Sequence, residues 1–206
     1  DVASFNPANN GYDAAGTRAA PLCAINAFDP ATGIGVGSYT SSGGQIVRFD
    51  AAADTHTVTA GGSIGYMPTG AYDSKRGQFY YLGWGDGEAG GTGIVSRKVS
   101  SNGVTVTNIT LTGAGATAFA SAAPSYGTMV YDPVVDCFWW WDGASRQLFK
   151  IVPDAGTSWA CTVQSISGTQ PVAAQYSFSR MEYVAELGGL VFMPTGVHPM
   201  HFVRTI

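Results

Sequence analysis

The densest set of chemically useful side chains lies in one stretch, Gly83-Trp84-Gly85-Asp86-Gly87-Glu88-Ala89-Gly90-Gly91-Thr92-Gly93. A tryptophan ring beside carboxylates suits a sugar: the ring stacks on a pyranose face while the acids accept hydroxyl hydrogen bonds. The same acids could hold Ca²⁺, but Asp86-Gly87-Glu88 brings too few oxygen ligands for a calcium loop. A solvated surface loop without a ligand is the plain alternative. Asp142, Arg146 and His198 fall in segments expected on the same side of the molecule. The candidate ligand contacts are therefore Trp84, Asp86, Glu88, Asp142, Arg146 and His198, with no residue assigned to catalysis.

Other chemistry finds less support. The histidines are His56, His198 and His201. His198 and His201, three apart on an expected strand, point to opposite faces, and no third ligand stands near, so neither a metal nor a cofactor is expected. No Gly-x-Ser-x-Gly elbow, phosphate loop or dinucleotide fingerprint occurs. Asp86, Glu88 and Asp142 are the one set of acids that could be paired for glycoside cleavage. A carbohydrate-active enzyme, hydrolase or lyase, using that face is thus the alternative to a non-catalytic module. Asn108-Ile109-Thr110 is a glycosylation sequon, of consequence only in a eukaryotic secretory host. Cys23, Cys137 and Cys161 lack metal-type spacing; they read as small buried hydrophobes, or as one Cys137–Cys161 bridge plus a free thiol.

These residues need a frame, and a repeat supplies it. An aromatic residue opens a turn into an apolar strand at Phe28-Asp29-Pro30-Ala31-Thr32-Gly33, Tyr72-Asp73-Ser74-Lys75-Arg76-Gly77, Tyr131-Asp132-Pro133-Val134-Val135-Asp136 and Tyr183-Val184-Ala185-Glu186-Leu187-Gly188. Each time a Gly or Asp follows five positions later, and the aromatics lie 44, 59 and 52 residues apart. A β-type period near fifty is the mark of blades stacked about an axis. Second strands are expected at 34–39, 78–84, 137–141 and 190–194. Third strands follow at 45–49, 94–99, 147–151 and 201–204, each with a basic residue (Arg48, Arg97 and Lys98, Lys150, Arg204). That residue sits 20, 19 and 21 residues after its aromatic in three copies, and 26 in the second, counted to Lys98. These cations could form an anion-binding ring; as long side chains on half-wet strands they are expected to cover their own blade edges. Trp139-Trp140-Trp141 alternates across a strand and is expected to pack between neighbouring blades.

Outer strands are expected at 55–59, 104–111 and 158–166, whereas the fourth copy ends at Ile206 without one. The stretch from Val2 to Asn6 is the candidate for that missing strand, since an unpaired edge invites pairing with another chain. The expected fold is all-β: a single domain over 1–206, a small β-propeller of about four antiparallel blades. The blades run over about 21–60, 61–112, 122–168 and 174–206, with residues 1–10 completing the last. The rival is a fragment whose further blades come from elsewhere. The start at Asp1 is expected to reflect cleavage or a piece of something longer.

The Tyr-Asp-Pro turn before an aromatic-rich strand, with the Asp154 to Trp159 turn after the third strand, resembles kelch-type repeats. The kelch double glycine has no fixed place here, so the resemblance implies the general propeller family. Phe178-Ser179-Arg180-Met181-Glu182-Tyr183, running on to Leu190-Val191-Phe192, also looks like terminal propeller blades of bacterial and phage proteins.

Charged residues are only 12% and the net charge is −4. The ten basic residues are scattered, which gives no electrostatic case for nucleic acid, and no apolar run reaches membrane-span length. The expected role is a non-catalytic binding or structural module of a surface, virion, tail or extracellular-fibre assembly, placed extracellularly or on a virion. Its partner would be a protein of that assembly or a surface glycan.

Overall fold

The computed structural model describes residues 5–6, 11–12, 25–39, 45–84, 94–120, 127–173, 181–193 and 199–205. Strands β1 (Phe5–Asn6) and β2 (Gly11–Tyr12) pair with each other. Four larger sheets follow, each a meander in chain order. The first holds β3 (Ile25–Asp29), β4 (Ile34–Tyr39), β5 (Gln45–Asp50) and β6 (Thr55–Ser63). The second holds β7 (Tyr66–Asp73), β8 (Gln78–Trp84), β9 (Ile94–Ser100) and β10 (Val106–Asn108). After β11 (Thr110–Thr112) and helix α1 (Ala114–Ala120) comes the third, made of β12 (Thr128–Asp132), β13 (Cys137–Asp142), β14 (Gln147–Val152) and β15 (Ser158–Gln164). The fourth holds β16 (Met181–Val184), β17 (Gly189–Phe192) and β18 (His201–Arg204).

First strands of successive sheets are neighbours: β3 meets β7, β7 meets β12 and β12 meets β16. Because strand residues alternate, each sheet offers one set of side chains to the sheet before it and another to the sheet after. The core divides accordingly. Phe79 and Tyr81 of β8 join Ile34, Val36 and Ile46 of the first sheet, while Tyr80 and Leu82 join Phe138, Trp140, Phe149 and Trp159 of the third. Trp139 and Trp141 turn the other way, onto Leu190 and Phe192 of the fourth. The triple tryptophan is packing on both faces, as its alternation demands.

Cys137 and Cys161 are buried free thiols in different layers, so the bridge between them is not formed. Burial pushes their pKa values up, to about 12 and about 11, which keeps both protonated and unreactive at neutral pH. Cys23 lies outside the described residues.

One expected element divides in two. Instead of one outer strand over 104–111, β10 pairs antiparallel with β9, and β11 pairs in parallel with β15 of the next sheet. Buried Ile109 is the crossing point: its N–H donates to the Ser96 carbonyl at 2.8 Å, and the next N–H, on Thr110, donates to Thr157 at 2.7 Å. The third sheet thereby gains a fifth strand on an edge that would otherwise be open. Helix α1, which no sequence pattern announced, packs against the same sheet. Gly115 sits so close to Thr162 that an added Cβ would lie 2.8 Å from its backbone. Phe119 meets Trp140 and Phe149 edge-on, with ring centres 5.2 and 5.8 Å apart.

Candidate functional site

At the end of the sheets where the first strands finish, one turn design recurs. A carboxylate closes a strand, and the residue four positions on takes a left-handed backbone. The pairs are Asp29 with Gly33 (φ 73°), Asp73 with Gly77 (φ 61°) and Asp132 with Asp136 (φ 58°). In the fourth sheet Val184 stands in the carboxylate position, ahead of Gly188 (φ 62°). Glycine meets that conformation at no steric cost, and aspartate tolerates it. Oδ1 of each aspartate gathers the turn: Asp29 accepts from Ala31 N–H, Asp73 from Lys75 and Arg76, and Asp132 from Val134 and Val135, all at 2.9–3.0 Å. The Gly or Asp seen five positions after each aromatic in the sequence is this left-handed residue.

The aromatics themselves tie neighbouring sheets. Tyr72 lies against Asp29 of the sheet before it, and burial together with that carboxylate pushes its pKa up to about 12. Burial alone would raise the pKa of Asp29, but bonds from Thr32, Ala31 and Tyr72 outweigh it and hold the acid below its ordinary value. Tyr131 donates to Asp136 Oδ1 at 2.7 Å and also reaches Asp73 of the second sheet. Tyr183 lies against Asp132 in the same relation, though its hydroxyl makes no hydrogen bond of ordinary geometry among the described residues. Asp132 Oδ2 instead accepts from Trp139 Nε1 at 3.0 Å and from Thr205 of the fourth sheet at 3.1 Å.

Arg76 completes the link between the second and third sheets. It forks onto Asp136 at 2.8 and 3.0 Å and also bonds Asp73 at 3.0 Å. Lys75 approaches Asp136 at 3.5 Å. The Arg76 guanidinium, with the Tyr131 hydroxyl, holds Asp136 well below the usual carboxylate range.

Between the first strands, at this same end, lies a cavity of about 390 Å³. Phe28, Tyr72 and Tyr131 line it from three successive sheets, with Met129, Met181 and Glu182 beside them.

Each second strand runs back from the turn, so the turn after β13, which holds Asp142 and Arg146, lies at the opposite end. Asp86, Glu88 and His198, together with the Trp84 side chain, lie outside the described residues. Asp142 and Arg146 are described, and both occupy the positions of the same turn design. Asp142 is buried, accepts from Ala144 N–H at 3.1 Å and from the Ser145 hydroxyl, and is followed four residues later by left-handed Arg146 (φ 58°). Asp50 and Asp54 (φ 49°) repeat it between β5 and β6. The Asp-plus-four spacing was present in the sequence at both places, with an aromatic, Phe49 or Trp141, just before the Asp.

The third-strand cations are engaged locally. Arg48 bonds Asp50 at 3.0 Å, Arg97 is buried and donates to Asn108, and Lys150 sits 5.6 Å from the Trp139 ring centre. Among the described residues no three His, Cys, Asp or Glu side chains gather as metal ligands, and no helix is long and apolar enough to cross a membrane.

No protein-family model matches the chain, and no curated protein matches it. Solved structures do. A chain of a nidogen/laminin complex superposes with a TM-score of 0.55 at 14% identity, over 86% of this chain and 59% of that one. A GH74 enzyme from Niastella koreensis gives 0.45 at 17% identity, over 85% and 23%. A candidate 6-phosphogluconolactonase from Bacteroides uniformis gives 0.43 at 8% identity, over 87% and 56%. The chain has a propeller-like β fold. It spans 59% of the length of the nidogen/laminin-complex chain that it matches.

Proposed function

We propose that this chain is a non-catalytic binding or structural module of a larger assembly, such as a surface, virion, tail or extracellular fibre. It presents its recognition segments, above all 83–93, to a protein partner or a surface glycan. One observation carries the reading: the two ends of the sheets are built by different rules. At one end the turns repeat to the residue, with a strand-closing position and a left-handed residue four later in all four sheets. At the other, β13 to β14 keeps that turn, whereas β4 to β5 and β8 to β9 are joined by segments of different length and chemistry. A stiff constant end with a varied opposite end is the usual division between scaffold and recognition. The neighbour in a nidogen/laminin complex is itself a protein in a protein assembly, and the same use of the fold is proposed here.

The finer fold reading is proposed with it: four blades of kelch-like type, with residues 1–10 completing the fourth and bringing it against the first. The junction residues favour that closure. The first sheet offers Phe28, which lacks a hydroxyl, and the fourth offers Val184, which lacks a carboxylate. The two departures from the Tyr–Asp rule are therefore complementary and apolar.

The test is light scattering for native mass, followed by binding to glycan arrays and host-surface extracts with W84A and D86A/E88A variants. Loss of binding in these variants, with thermal stability unchanged, supports the reading. Full binding in both variants sinks the assignment of that end. D142A belongs in no such test, since it breaks a turn.

A further inference from the structure

We infer that the axial cavity at the turn end is a binding site for a small alkylated ammonium compound, a choline-like cation. This goes beyond the proposed function and concerns the opposite end of the molecule, so either can fail alone.

The cavity, about 390 Å³, is of small-molecule size. Its rings come from Phe28, Tyr72 and Tyr131, the aromatics at matching places on three first strands. Phe28 is 47% exposed, a large ring left in reach of solvent where the other two are partly or fully buried. Two thioethers, Met129 and Met181, add polarizable surface.

Charge selects the ligand. Among the described residues no Lys, Arg or His lines the cavity, and Glu182 is its one carboxylate. Glu182 takes the place one before the aromatic, where the other three first strands carry Ala27, Ala71 and Val130. It is exposed and makes no ion pair among the described residues. A carboxylate thus replaces a small apolar side chain at a single position of four, inside an aromatic-lined space.

The hydrogen-bonding inventory excludes the rivals. Tyr131 already spends its hydroxyl on Asp136 and Tyr72 faces Asp29, so among the described lining residues an anion or a sugar finds little beyond Ser74 and these hydroxyls to donate to it. A primary ammonium wants three acceptors and would meet chiefly one carboxylate. A cation whose nitrogen carries methyl groups needs no hydrogen bonds; ring faces and one counter-charge suffice.

The test is calorimetric titration of the full chain with choline, with its neutral isostere 3,3-dimethylbutan-1-ol, and with glucose. Choline is expected to bind at least tenfold more tightly than the isostere. E182Q and F28A are each expected to weaken choline at least fivefold, E182Q with the melting temperature unchanged. Salt should weaken binding in the wild type and less in E182Q. No choline binding, equal affinity for the isostere, or unchanged affinity in both variants would overturn the inference. Co-sedimentation with phosphatidylcholine vesicles separates the sources of the group. The cavity favours free ligand, so the chain should stay in the supernatant; vesicle binding without free-choline binding would contradict it.

Discussion

The third and fourth sheets share one opening and differ in nearly everything after it. Both begin with a strand whose next-to-last residue is Tyr131 or Tyr183, a tight turn and a left-handed residue, Asp136 or Gly188. The third sheet then acquires β11 on its outer edge and α1 over one face, and buries Phe138, Trp140, Trp141 and Trp159 with no exposure at all. Among the described residues the fourth holds three strands. Its last, β18, alternates half-buried and exposed, with Phe202 46% exposed and Leu187 53% exposed nearby. The repeat therefore encodes the hairpin and the ties between first strands, whereas the density of each sheet is set by what the chain later lays over it.

The largest effect should come from the third sheet's core. W140A removes a fully buried indole from the cluster shared with Phe149 and Phe119 and should cost about 3–5 kcal/mol, read as a collapse of the denaturant midpoint. Next come the ties between sheets. R76A leaves buried Asp73 and Asp136 without their guanidinium and should cost about 1–3 kcal/mol.

The same tie predicts a pH signature. The pKa of Asp136 is depressed in the fold, so its contribution is fully present above the unfolded value near 4 and is lost as the pH falls through the folded value. Stability should drop below about pH 4 in the wild type and drop less steeply in D136N. At the other extreme Tyr72, raised to about 12, stabilises below pH 10 and gives that up between its unfolded and folded values. Y72F should flatten the alkaline limb of the melting curve.

The closure between the fourth and first sheets admits a sharper test. F28Y with V184D would install the tie that the other junctions carry. If the two sheets meet, the pair should couple favourably by about 0.5–1.5 kcal/mol beyond the sum of the singles; strictly additive effects would leave the sheets apart. The smallest effect belongs to exposed Phe202 of β18, where F202A should change stability by less than about 0.5 kcal/mol.

Much of the frame was legible in the sequence, because aromatic anchors and left-handed Gly or Asp residues are local signals with a fixed spacing. β4, β8 and β18 fall where their apolar runs place them. The crossing at Ile109 was not legible: Val104 to Leu111 reads as one alternating strand, and only the free edge of β15, far along the chain, divides it. Helix α1 is Ala, Gly and Thr around one Phe, too short for a periodic signal. The site was less legible still. Asp142 looked like an exposed contact because it is polar and beside a loop, yet it is buried, with the spacing of the turns at Asp29 and Asp73; Arg146, four residues on, is exposed. Glu182 drew no notice in the sequence, since its meaning depends on Ala27, Ala71 and Val130 standing at the matching places around one axis.

The central claim is that tyrosine–aspartate contacts between successive sheets hold the scaffold in register. A double-mutant cycle on Y72F and D29N, followed by equilibrium urea unfolding, tests it most directly. The account predicts a coupling of about 0.5–3 kcal/mol between the two positions, because Y72F removes the hydroxyl and D29N the charge that meet there. A coupling indistinguishable from zero would contradict it, and would reduce the aspartates to turn residues of single sheets.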